Sequence, residues 1–90
     1  MLILTRPEIE ALIDVNAAAP LIEQAYRDAS AGRITLPPVG HITFPDDADC
    51  HIKYGHIQGA KTFVIKIATG FPALAGQGLP TGNGLSLIHI

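Results

Sequence analysis

Lys66 is the residue whose type and position most favour chemistry. It lies in a run at residues 63–68 that is otherwise apolar on both faces of an extended strand. Burying an ammonium group costs free energy unless the group meets an anion, so Lys66 must either reach water or hold a carboxylate or phosphate group. A solvent-facing lysine on an edge strand is the structural alternative, and the pattern leaves both interpretations open.

Lys53 precedes Lys66 by thirteen residues and lies in a second strand-like run at residues 51–55. If the two runs pair as neighbouring antiparallel strands, Lys53 reaches the same side of the sheet as Lys66. The plainer interpretation is a surface lysine that alternates with Ile52 and Tyr54. The pairing of the strands therefore decides whether the two ammonium groups share one site.

Histidine and cysteine spacing argues against a metal site and against a cysteine nucleophile. His41, His51 and His56 lie in strand-like runs, but no H-x-x-x-H or Cys/His pair has the spacing of metal ligands. Cys50 and His51 cannot form a catalytic pair by adjacency, because neighbours on a strand point to opposite faces. We therefore expect no metal site and a structural thiol.

A glycine-rich segment at residues 76–84 is similar at first sight to a phosphate-binding loop. It has neither the G-x-G-x-x-G nor the G-x-x-x-x-G-K-[ST] spacing, so it is not a dinucleotide fingerprint. We expect a mobile loop that places Thr81 over a pocket, since loops on rigid sheets often carry function.

One strand and two helices are predicted for the first third of the chain. Residues 1–4 form an apolar run typical of a short strand. Thr5 and Glu8 have the spacing of a capping box and predict the start of a short helix. A second helix is predicted at residues 16–31, capped by its first residue, Asn16, and ended by Gly32.

The second predicted helix carries apolar residues at helical spacing, which we expect to form its inward face. These residues are Leu21, Ile22, Ala25, Tyr26 and Ala29.

Strand-like runs separated by turn residues follow the helices. The runs are residues 34–36, 39–44, 50–57 and 62–69. The third and fourth are separated by a glycine-containing turn, which predicts an antiparallel hairpin. A loop is expected at residues 70–84. The order of strand, two helices and then a mostly antiparallel sheet predicts an α+β fold.

Composition excludes some classes of protein and partner. Of the 90 residues, 48% are hydrophobic and 16% are charged, against roughly 25% charged in an ordinary domain. This balance excludes a disordered tail and indicates apolar surface that so short a chain cannot bury by itself. The net charge is −2 and there is no basic patch, which argues against nucleic acid as a partner.

The distribution of charges and the cysteine count bear on the ligand class and the cellular compartment of the protein. All eight acidic residues lie in residues 1–49, whereas residues 50–90 hold three lysines and no acid. The second half thus favours one wall of an anion or nucleotide pocket, with chance as the alternative. A single cysteine suits a reducing compartment, and no apolar run is long enough for a signal peptide or a membrane span. We expect a cytoplasmic protein with no membrane partner.

Several segments together resemble the start of the ornithine cyclodeaminase/mu-crystallin family. The resemblance covers nearly the whole chain up to residue 84. Its most specific part is the strand with Lys66, fifteen residues before Thr81. The matching segments are residues 1–5, 31–38, 51–55, 64–72 and 78–81.

The resemblance implies a subunit with two domains. Residues 1–84 match part of a substrate-binding and dimerisation domain, and a Rossmann domain for NAD or NADP is missing from this chain. The chemistry shared by the family's enzymes is hydride exchange between a nicotinamide and the α-carbon of an amino or imino acid. Lys66 matches a lysine that grips the substrate and polarises its carboxylate or reacting centre. Thr81 matches a threonine near both nicotinamide and substrate. The full-length protein is expected to form a homodimer.

Two departures from the family pattern bear on the substrate. Val39 follows Pro37-Pro38, where ornithine-binding members have an arginine suited to carboxylate capture. Lys53 stands where ornithine cyclodeaminase itself has a glutamate, which reverses the charge offered to a side-chain amine. A small or acidic amino or imino acid therefore fits better than a cationic one.

The expected site residues follow from the resemblance and these departures. Lys66 is expected to be catalytic. Lys66, Lys53 and Thr81 are expected to bind substrate, and Thr81 to contact the cofactor.

Residues 85–90 resemble the in-frame translation of a transposase adaptor used in sequencing libraries. We therefore expect a non-native tail on an N-terminal fragment that is inactive alone, and a genuine strand is the alternative. Two other functions stay open at this point. One is a non-enzymatic mu-crystallin-like protein that binds a small ligand, and the other is a free-standing α+β interaction module.

Overall fold

A computed structural model of the protein describes residues 1–89. The chain divides into two compact units, Met1–Gly32 and the segment that begins at Arg33. The first unit holds two α-helices, and the second holds a five-stranded antiparallel sheet. The predicted α+β class is confirmed. No helix within the described range is both long and apolar enough to cross a membrane.

Helix α1 spans Arg6–Leu12 and begins where the capping pattern predicts. Thr5 is its N-cap residue. The carboxylate oxygen Oε2 of Glu8 accepts hydrogen bonds from the Thr5 backbone N–H at 2.6 Å and from the Thr5 hydroxyl at 2.7 Å. These two hydrogen bonds fix the first turn, where backbone N–H groups have no partner inside the helix.

Helix α2 spans Val15–Ser30 and begins slightly before its predicted start. Asp14, not Asn16, is the N-cap, and its carboxylate accepts a hydrogen bond from the Asn16 N–H at 2.9 Å. Asp and Asn are about equally good caps, so residue type could not choose between them. Gly32 follows the helix with φ of +74°, a conformation that costs glycine little, and the predicted end is confirmed.

The apolar stripe of α2 does not face inward as expected. Leu21, Ile22 and Tyr26 are 73%, 56% and 75% exposed. Two short helices alone have too little apolar surface facing one another to enclose a core. The stripe is therefore apolar surface, as the low fraction of charged residues suggests.

The sheet is built around one long central strand. Strand β3 pairs antiparallel with β4 along one edge, and with both β1 and β2 along the other. Strand β5 pairs antiparallel with β4. The bounds are β1 Ile34–Thr35, β2 Gly40–Phe44, β3 Ala48–Ile57, β4 Phe63–Gly70 and β5 Gly82–His89, with a 3₁₀ helix at Pro72–Gln77. The four predicted strands and the hairpin of β3 with β4 are confirmed.

The start of the chain and the predicted loop both differ from expectation. Residues 1–4 form no strand, because they take part in none of the strand pairings of the described residues, and β-propensity without a paired backbone makes no strand. The loop expected at residues 70–84 ends earlier, since Gly82–His89 continues the ladder beside β4. Backbone pairing needs no side chains, so the glycines do not prevent it. Of the expected tail at 85–90, residue 90 lies outside the described residues.

Alternation along the strands gives the sheet one polar and one apolar face. The polar face carries His41, Asp49, His51, Lys53, Lys66 and Ser86, and the apolar face carries Ile42, Phe44, Ile52, Ile65, Ile67, Leu85 and Leu87. Much of the apolar face is open to solvent, and Ala48 is the one buried hydrophobic residue among the described ones. The candidate site lies on the polar face.

Replacing Gly55 by alanine is expected to destabilise the sheet. A Cβ atom at Gly55 would lie 2.8 Å from Cδ2 of Leu36 and 3.0 Å from the carbonyl oxygen of Thr35. We expect Gly55→Ala to lower the free energy of unfolding by about 1–3 kcal/mol, as overpacking does elsewhere. Urea denaturation measures this. Gly76→Ala is the control because its Cβ would meet no atom within 4 Å. Equal losses in the two variants would contradict the prediction.

The cap of α1 is expected to depend on pH. Hydrogen bonds from the backbone and the hydroxyl of Thr5 lower the pKa of the Glu8 carboxyl group. The cap therefore stabilises the folded chain above the pKa that Glu8 has when unfolded, and this stability is lost as pH falls through the folded-state pKa. Thr5→Val removes the hydroxyl contact alone and should raise the pKa of Glu8 towards its ordinary value. An NMR titration of the Glu8 carboxyl carbon tests this, with Thr43→Val as the unaffected control.

Candidate functional site

Lys53 and Lys66 lie directly opposite each other on β3 and β4. Their side chains share the polar face, and within residues 1–89 neither has a carboxylate partner within 4 Å. Like charges directly opposite in an antiparallel pair destabilise a sheet. The arrangement therefore concentrates positive charge that a bound anion would neutralise.

The two lysines border a shallow, open depression of about 130 Å³ whose other lining residues are His51 and Ala68. His51 lies opposite Ala68 in the register, so the four side chains occupy two neighbouring positions of the same strand pair. Ser86 on β5 lies opposite Lys66 and adds a hydroxyl to this face. The volume suits a small anion, because pockets for larger ligands usually enclose 300–1,000 Å³.

A second group of side chains lies next to the depression. His41 on β2 is opposite His51, and their rings stack with centroids 4.2 Å apart and an interplanar angle of 11°. The Asp49 oxygen Oδ2 is 3.6 Å from Nε2 of His41 and 3.8 Å from Nδ1 of His51. All three side chains are partly exposed, between 38% and 46%.

Sequence spacing missed this group because its members come from two strands. The predicted absence of metal rested on motifs within one segment, and His41 is ten residues from His51. The usable signal was the turn at residues 45–47 between two short strand runs, because a tight hairpin there places position 41 opposite position 51.

Thr81 is not brought together with the lysines. It precedes β5, where its carbonyl oxygen accepts a hydrogen bond from the Phe71 N–H at 2.7 Å. The next residue, Gly82, pairs with Gly70, whereas Lys66 pairs with Ser86. Five residues of extended strand correspond to about 17 Å. A role for Thr81 in binding substrate or cofactor stays a prediction.

The remaining candidate residues lie away from the depression. Cys50 is on the opposite face from His51, as predicted from their adjacency, and its thiol is free. The ring nitrogen Nε2 of His56 is 2.8 Å from the carbonyl oxygen of Ala60, which ties the ring to the turn after β3. These positions fit structural roles for both residues.

Residues 1–89 do not fit a nicotinamide dinucleotide. Rossmann-type sites use parallel strands joined by a helix, with a glycine-rich turn at the helix N-terminus. Every strand pair within the described range is antiparallel, and the glycine-rich segment forms a 3₁₀ helix followed by β5. The described residues therefore carry no Rossmann-type dinucleotide site.

Comparisons with known proteins find that the chain is similar to proteins named as dehydrogenases and as a cyclodeaminase. It is 30% identical over 88 residues to an alanine dehydrogenase of Archaeoglobus fulgidus, covering 98% of this chain and 26% of that protein. It is 31% identical over 91 residues to an uncharacterized cyclodeaminase of Sinorhizobium fredii, covering 98% and 28%. No family model matches the chain.

A solved structure of a similar protein shares the fold of this chain. The chain superposes on an archaeal alanine dehydrogenase dimer with bound NAD, with a TM-score of 0.88 and 29% identity. The match covers 99% of this chain and 27% of that one. The chain thus spans about a quarter of the length of the relatives it matches. The resemblance to the ornithine cyclodeaminase/mu-crystallin family is confirmed.

The charge arrangement leads to a prediction about stability. Lys53→Glu would place a carboxylate directly opposite the Lys66 ammonium and should raise the free energy of unfolding by about 0.5–1 kcal/mol. Lys61→Glu makes the same charge change in the turn between β3 and β4, outside the paired strands, and serves as the control. Urea denaturation at low and high salt measures both. Equal effects of the two substitutions would show that repulsion between Lys53 and Lys66 costs nothing.

Proposed function

We propose that this chain is part of a longer NAD(P)-dependent oxidoreductase or cyclodeaminase of the ornithine cyclodeaminase/mu-crystallin family. The substrate is an amino or imino acid that reacts by hydride transfer at its α-carbon. Residues 1–84 belong to the substrate-binding and dimerisation domain. The relatives support this proposal, since they are named as dehydrogenases and a cyclodeaminase.

The observation that carries the proposal is the pairing of Lys53 with Lys66. An amino or imino acid always offers a carboxylate, and ammonium groups without a partner bind one through charge-assisted hydrogen bonds. Lys66 holds the carboxylate and polarises the reacting centre. Lys53 adds a second positive charge within the same depression, and His51 forms its side. The substrate class favoured by two ammonium groups is a small or acidic amino or imino acid.

The cofactor belongs to another part of the longer protein. The structural neighbour contains NAD, and residues 1–89 have no fold element that fits a dinucleotide. NAD or NADP supplies or accepts the hydride when bound. The residues of this chain contribute the binding and orientation of the substrate. A chain of residues 1–90 is therefore expected to be inactive by itself.

A homodimer of the longer protein is part of the proposal. The structural neighbour is a dimer, and the sheet presents apolar side chains to solvent, with Ile42 at 51% and Leu85 at 65% exposed. Exposed apolar surface of this kind marks interfaces.

A single free thiol, Cys50, agrees with a reducing compartment such as the cytoplasm.

Anion binding by the chain tests the site itself. We expect a dicarboxylic 2-oxo acid to bind more tightly than pyruvate, since two ammonium groups can pair with two carboxylates. Lys53→Met and Lys66→Met should each weaken binding about tenfold, the loss expected for one charge-assisted hydrogen bond. Lys61→Met should leave the affinity unchanged. NMR titration of the three variants and the unaltered chain decides the point. An equal response of all three variants would reject the site.

Turnover by the longer protein tests the activity. Lys66→Met is expected to lower kcat/KM by roughly 10²–10⁴-fold, as for a group that stabilises charge in the transition state. Lys61→Met is the matched control and should retain the activity. Loss of ligand affinity in a protein that oxidises or reduces no amino or imino acid would instead support the mu-crystallin-like binding function.

A further inference from the structure

We propose that His41, Asp49 and His51, named here the His–Asp–His cluster, form a binding site for a divalent transition-metal ion of the zinc class. Each side chain offers one ligand atom, and the three atoms all lie within 4.8 Å of one another. The inference does not require the proposed enzymatic function, because it rests on the hairpin of β2 and β3, although His51 also lines the anion depression.

The distances are close to those of a metal site. With metal–ligand bonds of about 2.0–2.1 Å, two ligands on a tetrahedral ion are about 3.3 Å apart. The Asp49 oxygen is 3.6 Å and 3.8 Å from the nitrogens of His41 and His51. Small rotations of the side chains close this gap. The two stacked rings must also tilt towards each other, so that both nitrogen lone pairs point at one ion.

The backbone holds the three residues in place before any ion binds. His41 and His51 are direct partners in a pairing that covers all five residues of β2, and Asp49 precedes His51 by two positions on the same face. A slip of the register would be needed to separate them. Their partial exposure leaves the side chains free to rotate.

The ligand atoms are also available. Within residues 1–89, none of the three side chains forms a hydrogen bond that an ion would have to break. Two imidazoles and one carboxylate suit zinc and its neighbours in the transition series, whereas Mg²⁺ and Ca²⁺ prefer oxygen ligands alone. Three protein ligands leave a fourth position for water or an anion.

Lys53 opposes the binding of a cation and provides a sharper test. It lies two residues beyond His51 on the same face of β3, about 7 Å along the strand. Its ammonium group repels a divalent ion. Lys53→Gln should therefore tighten metal binding several-fold, while it removes a lysine from the anion depression. If Lys53→Gln strengthens metal binding and weakens anion binding, the metal ion and the anion occupy different sites.

Calorimetric titration of the 90-residue chain with Zn²⁺, together with Co²⁺ absorption spectra, tests the proposal. We expect one ion per chain at mildly alkaline pH, because protons compete with the metal ion for its ligands. His41→Ala, Asp49→Asn and His51→Ala should each weaken binding at least about tenfold. His56→Ala removes a histidine from the other face of the same strand and should change the affinity less than twofold. Circular dichroism of each variant verifies the fold.

Three outcomes would overturn the proposal. The first is the absence of saturable binding to the unaltered chain. The second is an equal loss in His56→Ala and His41→Ala, which would show that scattered histidines, as in an unfolded chain, bind the ion. The third is full affinity in both His41→Ala and His51→Ala.

Discussion

The antiparallel register of β3 with its two neighbours is the constraint on which both candidate sites depend. Pairing with β4 places Lys53 opposite Lys66, and pairing with β2 places His41 opposite His51. Because side chains alternate with a period of two, a shift by one residue would send each partner to the other face. The depression and the His–Asp–His cluster would then both disappear. One strand therefore organises all the chemistry on the polar face.

The register also brings together like charges, whose repulsion lowers the stability of the folded chain. The ammonium groups of Lys53 and Lys66 lie directly opposite each other and repel. The opposite face leaves large apolar side chains in solvent, so burial within residues 1–89 contributes little to offset these costs. A binding partner would stabilise each feature: an anion would stabilise the lysines, a cation the cluster, and a second apolar surface the other face. Such a sheet is typical of a part that completes its contacts within a larger assembly.

Some of this arrangement could be predicted from local patterns, and some could not. The capping pair of Thr5 and Glu8 acts within one turn, so residue spacing located α1 correctly. Alternation of apolar residues located β3 and β4 and predicted their hairpin, but it left open the register that sets Lys53 opposite Lys66. Residues 1–4 failed as a strand because a strand requires a paired backbone, which no local pattern contains. The first residues of β5, at 82–84, were assigned to a loop for the same reason, since glycines signal a turn unless a partner strand is present.

The amino-acid sequence by itself determined which residues could do chemistry and which segments were helical or extended. It also determined the family resemblance, because the motif around Lys66 is a property of residue order. Only the tertiary structure decided which candidates meet. It joined Lys53 to Lys66, left Thr81 at the far end of the strand pair, and assembled the His–Asp–His cluster from β2 and β3. The reason is physical: periodicity assigns a residue to a face, whereas its neighbours across the sheet depend on the register, which turn geometry and long-range hydrogen bonding set together.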